Sequence, residues 1–124
     1  MDKDTYTVLY VDDDPDFQEA VSTILEAGGF RVVRASSGED GLRIYRTERP
    51  HAVLVDLMME EVDAGIILIR ELRAAQEEVP ILLLSSLGQE LAQSKSFSEL
   101  GIAAVLQKPV KGDTLLALLR SALG

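Results

Sequence analysis

Residues 8–17 read VLYVDDDPDF, an apolar run that ends in three consecutive aspartates, Asp12, Asp13 and Asp14, with Asp16 close behind. Crowded carboxylates repel and raise one another's pKa, so a chain that gathers them at a strand end requires something positive to complete the site. The pattern around this stretch says what kind of strand it is. Apolar, β-branched segments recur roughly every two dozen residues: TYTVLYV, FRVVRA, HAVLVDL, VPILLLS and IAAVLQ. Between them the apolar residues take helical spacing. Phe17, Val21, Ile24 and Leu25 make one stripe before Gly28 and Gly29 stop the helix. A second helix starts after Ser37 and buries Leu42 and Tyr45, and a third runs from Asp63 with Ile66, Ile69, Leu72 and Arg73 on one side. The last, DTLLALLRSAL, is Leu-rich enough to cover a sheet face. The segment GQELAQSKSFSEL between Gly88 and Leu100 is the weakest, since only Leu91, Phe97 and Leu100 offer an apolar stripe, and a poorly anchored helix is easily shifted.

Strand and helix alternating in this way, with near-continuous apolar strands, predict an α/β domain: a doubly wound, five-stranded parallel sheet flanked by five helices. At 124 residues the chain is expected to be one domain with one core, and it stops where the fifth helix does, with no output domain in view. There is no cysteine, which excludes disulfides and thiolate metal sites. Nothing at the N-terminus reads as a signal peptide, and runs such as AGIILI and VPILLL are too short to span a bilayer, so a cytoplasmic protein is expected. The net charge of −9 argues against direct binding to nucleic acid or to an anionic membrane, because phosphate-neutralising Lys and Arg are in deficit. Most of the acidic residues read as solvated surface.

In open α/β sheets the ligand crevice lies outside the C-terminal ends of the strands. The residues at those ends are Asp12 and Asp13, then Asp56, Ser85 and Lys108, so three carboxylates, a hydroxyl and an ammonium converge from distant segments. Hard oxygen ligands of this kind suit Mg²⁺, which takes one or two carboxylates, keeps waters and accepts a phosphate oxygen. Other readings of the acidic stretch fail on the letters. A calcium loop beginning at Asp12 needs Gly and Glu where Phe17 and Thr23 stand. Phosphate-binding and dinucleotide loops, and an FMN loop of the flavodoxin kind, need glycines that this loop lacks. Asp14 before Pro15 is explained as a helix N-cap, and Asp16 as first-turn charge complementing the helix dipole. Neither role accounts for Asp12 and Asp13.

The pieces YVDDDP, VLVDLMM, PILLLSS and LQKP, in this order and spacing, resemble the receiver domain of bacterial two-component response regulators, over essentially the whole chain. The resemblance implies the flavodoxin-like receiver fold and a phosphoryl-accepting switch with self-phosphorylation and autophosphatase activity, not a turnover enzyme. It implies that Asp56 accepts a phosphoryl group from a phosphohistidine on a sensor histidine kinase or phosphotransfer protein. Asp13 would ligate Mg²⁺ directly and Asp12 through water, with Asp56 and the backbone carbonyl of Met58 completing the protein ligands. Ser85 would hydrogen-bond the phosphoryl group and Lys108 would pair with it. The signal would pass through the surface from the fourth to the fifth helix, to an output domain or downstream protein, with a homodimer through that surface as one form of output. His51, the sole histidine, reads as solvated surface, which places the phosphodonor on another molecule.

The sequence departs from the family in three places. An aromatic residue usually stands three positions before the lysine, where this chain has Val105, and a valine cannot swing a ring between cavity and surface. The loop after the phosphoacceptor reads EEVDAG, with Glu60 in place of the usual proline and one extra residue before Gly65. Met58 and Leu87 stand where the family tunes dephosphorylation, and their apolar side chains are expected to hinder the attacking water and prolong the aspartyl phosphate. Two rival readings remain. A Mg²⁺-dependent phosphatase with an aspartyl nucleophile would want an acid where Met58 stands. A receiver-like interaction module that does not signal by phosphorylation would explain Val105 and the altered loop, but not the intact acidic pair with Asp56, Ser85 and Lys108.

Overall fold

Each apolar run forms a strand in the computed structural model, which describes residues 5–57, 62–85 and 99–124. The strands are β1 (Thr7–Val11), β2 (Arg31–Ala35), β3 (Ala52–Asp56), β4 (Ile81–Ser85) and β5 (Ala104–Gln107). The described helices are α1 (Pro15–Ala27), α2 (Gly38–Glu48), α3 (Val62–Ala74) and α4 (Gly112–Leu123), four where the sequence predicts five. Most of the remaining one, with its Leu91 and Phe97, lies outside the described residues, as do Met58, Glu60 and Leu87. All strands pair in parallel in the order β2-β1-β3-β4-β5, the doubly wound sheet that the alternation implies.

Side chains alternate across the sheet, so two cores form. Leu9, Val11, Val53, Val55, Ile81 and Leu83 pack with Tyr45 of α2 and with Leu68, Ile69 and Leu72 of α3. Val8, Tyr10, Leu54, Leu82 and Leu84 face Val21 and Leu25 of α1 and Leu115 and Leu119 of α4. Every residue of β1, β3 and β4 is buried, as strands covered on both faces must be, whereas β2 and β5 form the partly exposed edges.

Local chemistry sets the helix ends. The Asp14 carboxylate accepts from the N–H groups of Asp16 (3.0 Å) and Phe17 (3.3 Å), with Pro15 opening α1. Ser37 caps α2 by accepting from Asp40 N–H at 3.1 Å. Gly28 ends α1 where a Cβ would sit 2.4 Å from Leu116 of α4, and Gly29 follows at φ +93, a conformation open to glycine.

Polar groups at the N-terminal edge of the sheet are paired among themselves. Glu77 accepts from the Arg49 guanidinium and from the Tyr45 hydroxyl, and these hydrogen bonds, Arg49 first, hold the Glu77 carboxyl below its usual range. Arg73, expected on the apolar side of α3, is half-buried and donates to the carbonyls of Glu77, Val79, Leu100 and Gly101, tying the end of α3 to the chain entering β5. His51 is exposed as expected, but its Nδ1 accepts from Thr7 N–H at 3.0 Å and its ring stands edge-on to Tyr6. Among the described residues no helix is long and apolar enough to cross a membrane.

Ser22, on the buried side of α1, is fully buried, and its hydroxyl has no hydrogen-bond partner among the described residues. A buried, unpaired hydroxyl costs stability that a methyl group does not. Ser22→Ala is therefore expected to stabilise the chain by about 0.5–1.5 kcal/mol, read as a higher urea midpoint at unchanged slope. A lower midpoint would mean that the hydroxyl is satisfied in solution.

Candidate functional site

Strand register brings the site together. Val11 pairs with Val55, so Asp12, one residue on, stands level with Asp56 on the adjacent strand. Asp56 pairs with Leu84, and Ser85 with Gln107, which places Ser85 and Lys108 at the same edge. Lys108 donates its backbone N–H to the Ser85 carbonyl at 3.0 Å, continuing the ladder one residue past β5. The order β3-β4-β5 puts a whole strand between Asp56 and Lys108, about 10 Å at the usual strand spacing. The four-carbon stem of the lysine crosses that distance, and Nζ reaches Asp56 Oδ2 at 2.8 Å. Asp56 and Asp12 are each only 1% exposed and Ser85 is fully buried, while the Lys108 side chain keeps 23% of its surface in solvent.

The surroundings of Asp12 shift its carboxyl strongly. Burial pushes it from 3.8 up to about 6; the Tyr10 hydroxyl and the Asp14 N–H, which both donate to it, pull the other way, and the adjacent Asp56 carboxyl raises it again. Tyr10 is itself pushed well above the usual phenol range by burial and by its bond to Asp12. With two carboxylates and one ammonium in contact, the described part of the site has a surplus of negative charge.

Three contributors were not visible as such in the sequence. Tyr10 reads there as one more strand residue, and only the fold turns its hydroxyl onto Asp12. Gln18 is a polar helix residue whose type does not mark it for the site, yet it is buried, and its Nε2 donates to the carbonyls of Asp12 (2.9 Å) and Ala35 (3.1 Å), tying the ends of β1 and β2. Phe17 belongs to the apolar stripe of α1, but its ring also lies under the Lys108 ammonium, 4.4 Å from Nζ to the centroid. The sole sequence signal for Gln18 is its spacing, three residues before Val21 on the buried side of α1.

Among the described residues no three His, Cys, Asp or Glu side chains gather as a metal site by themselves. The donor set still fits Mg²⁺, which needs only one or two carboxylates beside water and phosphate oxygens, and the raised Asp12 beside Asp56 is the strain that a cation relieves.

The family of response regulator receiver domains matches residues 8–120. This chain belongs to that family. It is 34% identical over 116 residues to the transcriptional regulatory protein GlrR of Escherichia coli (strain K12), which covers 94% of this chain and 26% of that protein. It is 35% identical over 123 residues to the probable transcriptional regulator ycf27 of Porphyra purpurea, covering 99% of this chain and 49% of the other. The BeF3-activated N-terminal receiver domain of Klebsiella pneumoniae RstA superposes with a TM-score of 0.82 at 31% identity, over 94% of this chain and 97% of that one. The receiver thus spans a quarter to a half of the length of these two curated relatives.

The raised Asp12 makes receiver stability depend on pH. The folded chain holds the Asp12 proton more tightly than the unfolded chain, so this group's contribution is fully present below 3.8 and is lost as pH rises through about 6. Asp12→Asn is therefore expected to gain roughly 1–3 kcal/mol over wild type at pH 8 without divalent cations, at ~1.4 kcal/mol per pKa unit. By about pH 3.5 that gain should vanish. Urea unfolding at both values checks it, and an equal gain at both would assign the effect to packing.

Proposed function

We propose that this receiver is a phosphoryl-accepting switch of two-component signalling in which Asp56 is the acceptor. The observation that supports it is the buried Asp56 carboxylate, held at 2.8 Å by Lys108 and flanked by Asp12 at the C-terminal edge of the sheet. An Asp56 oxygen attacks the phosphorus of a phosphohistidine. The P–N bond breaks, the imidazole leaves with its electron pair, and an aspartyl phosphate remains. Hydrolysis reverses the gain: water attacks phosphorus, the P–O bond to Asp56 breaks, and the carboxylate and inorganic phosphate return. Phosphoryl transfer of this kind needs positioning and charge neutralisation more than covalent help from the protein, so we read the domain as a switch and not as a turnover enzyme.

Lys108, already at Asp56, pairs with the phosphoryl oxygens as the group arrives, and Ser85 donates its hydroxyl to the phosphoryl group. Asp13, Asp12, Asp56 and the Met58 carbonyl would hold Mg²⁺, which supplies further neutralisation of the phosphoryl oxygens when bound. Both Asp12 oxygens already accept from Tyr10 and Asp14, which supports a role through water for Asp12 and direct ligation by Asp13. The donor belongs to a separate kinase or phosphotransfer protein. His51 precedes β3 and Asp56 ends it, about 16 Å apart at ~3.3 Å per residue.

Val105 packs against the core on the α3 side with Leu100 and Ile102. Lacking a ring to rotate, it leaves the switch to movement of the chain between β4 and β5, read out by an attached or separate partner or by self-association. Met58 and Leu87 would shield the aspartyl phosphate from water. The absence of direct nucleic-acid contact rests on the charge of −9, and the relatives named as transcriptional regulators are matched over only part of their length. A cytoplasmic site of action is part of the same reading.

Incubation with Mg²⁺ and acetyl phosphate is expected to add one phosphoryl group to the intact mass, and Asp56→Asn or chelation of the metal should abolish the gain. No gain in any sample would favour the interaction module instead.

A further inference from the structure

Lys108 is held from two sides. Asp56 Oδ2 lies 2.8 Å from Nζ, and the face of the Phe17 ring lies 4.4 Å away, measured to its centroid. The two holders come from different elements and are fixed independently. Asp56 ends β3, whereas Phe17 occupies the third position of α1, where the Asp14 cap takes its N–H and Pro15 sets the entry of the helix. The lysine backbone is fixed in turn by its bond to the Ser85 carbonyl. What remains free is a four-carbon stem with a strongly hydrated ammonium, which a single charged partner anchors loosely while part of the side chain faces water. An aromatic face within about 6 Å attracts that ammonium and removes water from one side of it.

We propose that Phe17 is a positioning residue for Lys108, keeping the ammonium at Asp56 before and after phosphoryl transfer. This deepens the phosphoacceptor reading of Asp56 and rests on it. An aliphatic side chain at position 17 would still pack against the core on the α1 and α4 side but offer no π face, so packing and positioning can be separated.

The test compares wild type with Phe17→Leu, Phe17→Met and Phe17→Tyr. In the unphosphorylated chain, the ε-methylene protons of Lys108 should be shifted upfield by the ring current. That shift should disappear in the Leu and Met variants and persist with Tyr. In Mg²⁺ and acetyl phosphate, the Leu and Met variants should gain the phosphoryl group about 3- to 30-fold more slowly, the span of a cation–π contact at a partly desolvated site. The Tyr variant should recover the wild-type rate. Circular dichroism identifies a variant that does not fold, and the other aliphatic substitution then decides. An upfield shift that survives without the ring, or an unchanged rate once the shift is lost, would overturn the role of Phe17. A wild-type chain that takes no phosphoryl group would overturn the phosphoacceptor reading instead, and the Lys108 shift would still report whether the contact exists.

Discussion

The contact between Lys108 and Asp56 spans a strand, and the arrangement of the sheet can be traced from that requirement. β3 and β5 are separated by β4, so the ammonium reaches the carboxylate only if β4 and β5 are in register to put Lys108 one residue past the strand end. The same edge brings Asp12 beside Asp56, because β1 and β3 pair with Val11 opposite Val55. A slip of one residue in either pairing would send these side chains to the opposite face and leave buried carboxylates without their counter-charge. Site and register therefore constrain each other.

The two faces of the sheet contribute unequally. On the α1 and α4 side, polar and aromatic groups beneath the acidic edge are committed to it: Tyr10 to Asp12, Gln18 to the ends of β1 and β2, and Phe17 to Lys108. On the α2 and α3 side the core is aliphatic but for Tyr45, and polar bonding gathers at the far end of the sheet around Glu77 and Arg73. Arg73 there fixes Leu100 and Gly101, the point where the chain between β4 and β5 comes back to the sheet. One end of that segment is thus anchored to α3, and the other leaves from Ser85, on the strand next to Asp56.

The strands, the caps at Asp14 and Ser37 and the stop at Gly28 and Gly29 were legible in the sequence, because each depends on residues within one turn or one strand of each other, and the parallel pairing was legible from the alternation of strand and helix along the chain. Asp12, Asp56, Ser85 and Lys108 were legible as a group for a related reason: parallel strands covered on both faces have their C-terminal ends on one edge, so residues that follow the apolar runs must meet. Tyr10, Gln18 and Phe17 were not legible as site residues. Their periodicity states only that they face inward, and inward-facing positions ordinarily mean packing. What each touches depends on strand order, on register and on how α1 crosses the sheet, none of which a local pattern contains. The ionisation of Asp12 depends on burial, on Asp56 from another strand and on Tyr10, a sum that exists once the chain has folded. Sequence by itself determined which residues reach the acidic edge, through hydrophobic periodicity and local capping; tertiary structure alone decided their partners and charges, because those follow from distances between segments far apart in the chain.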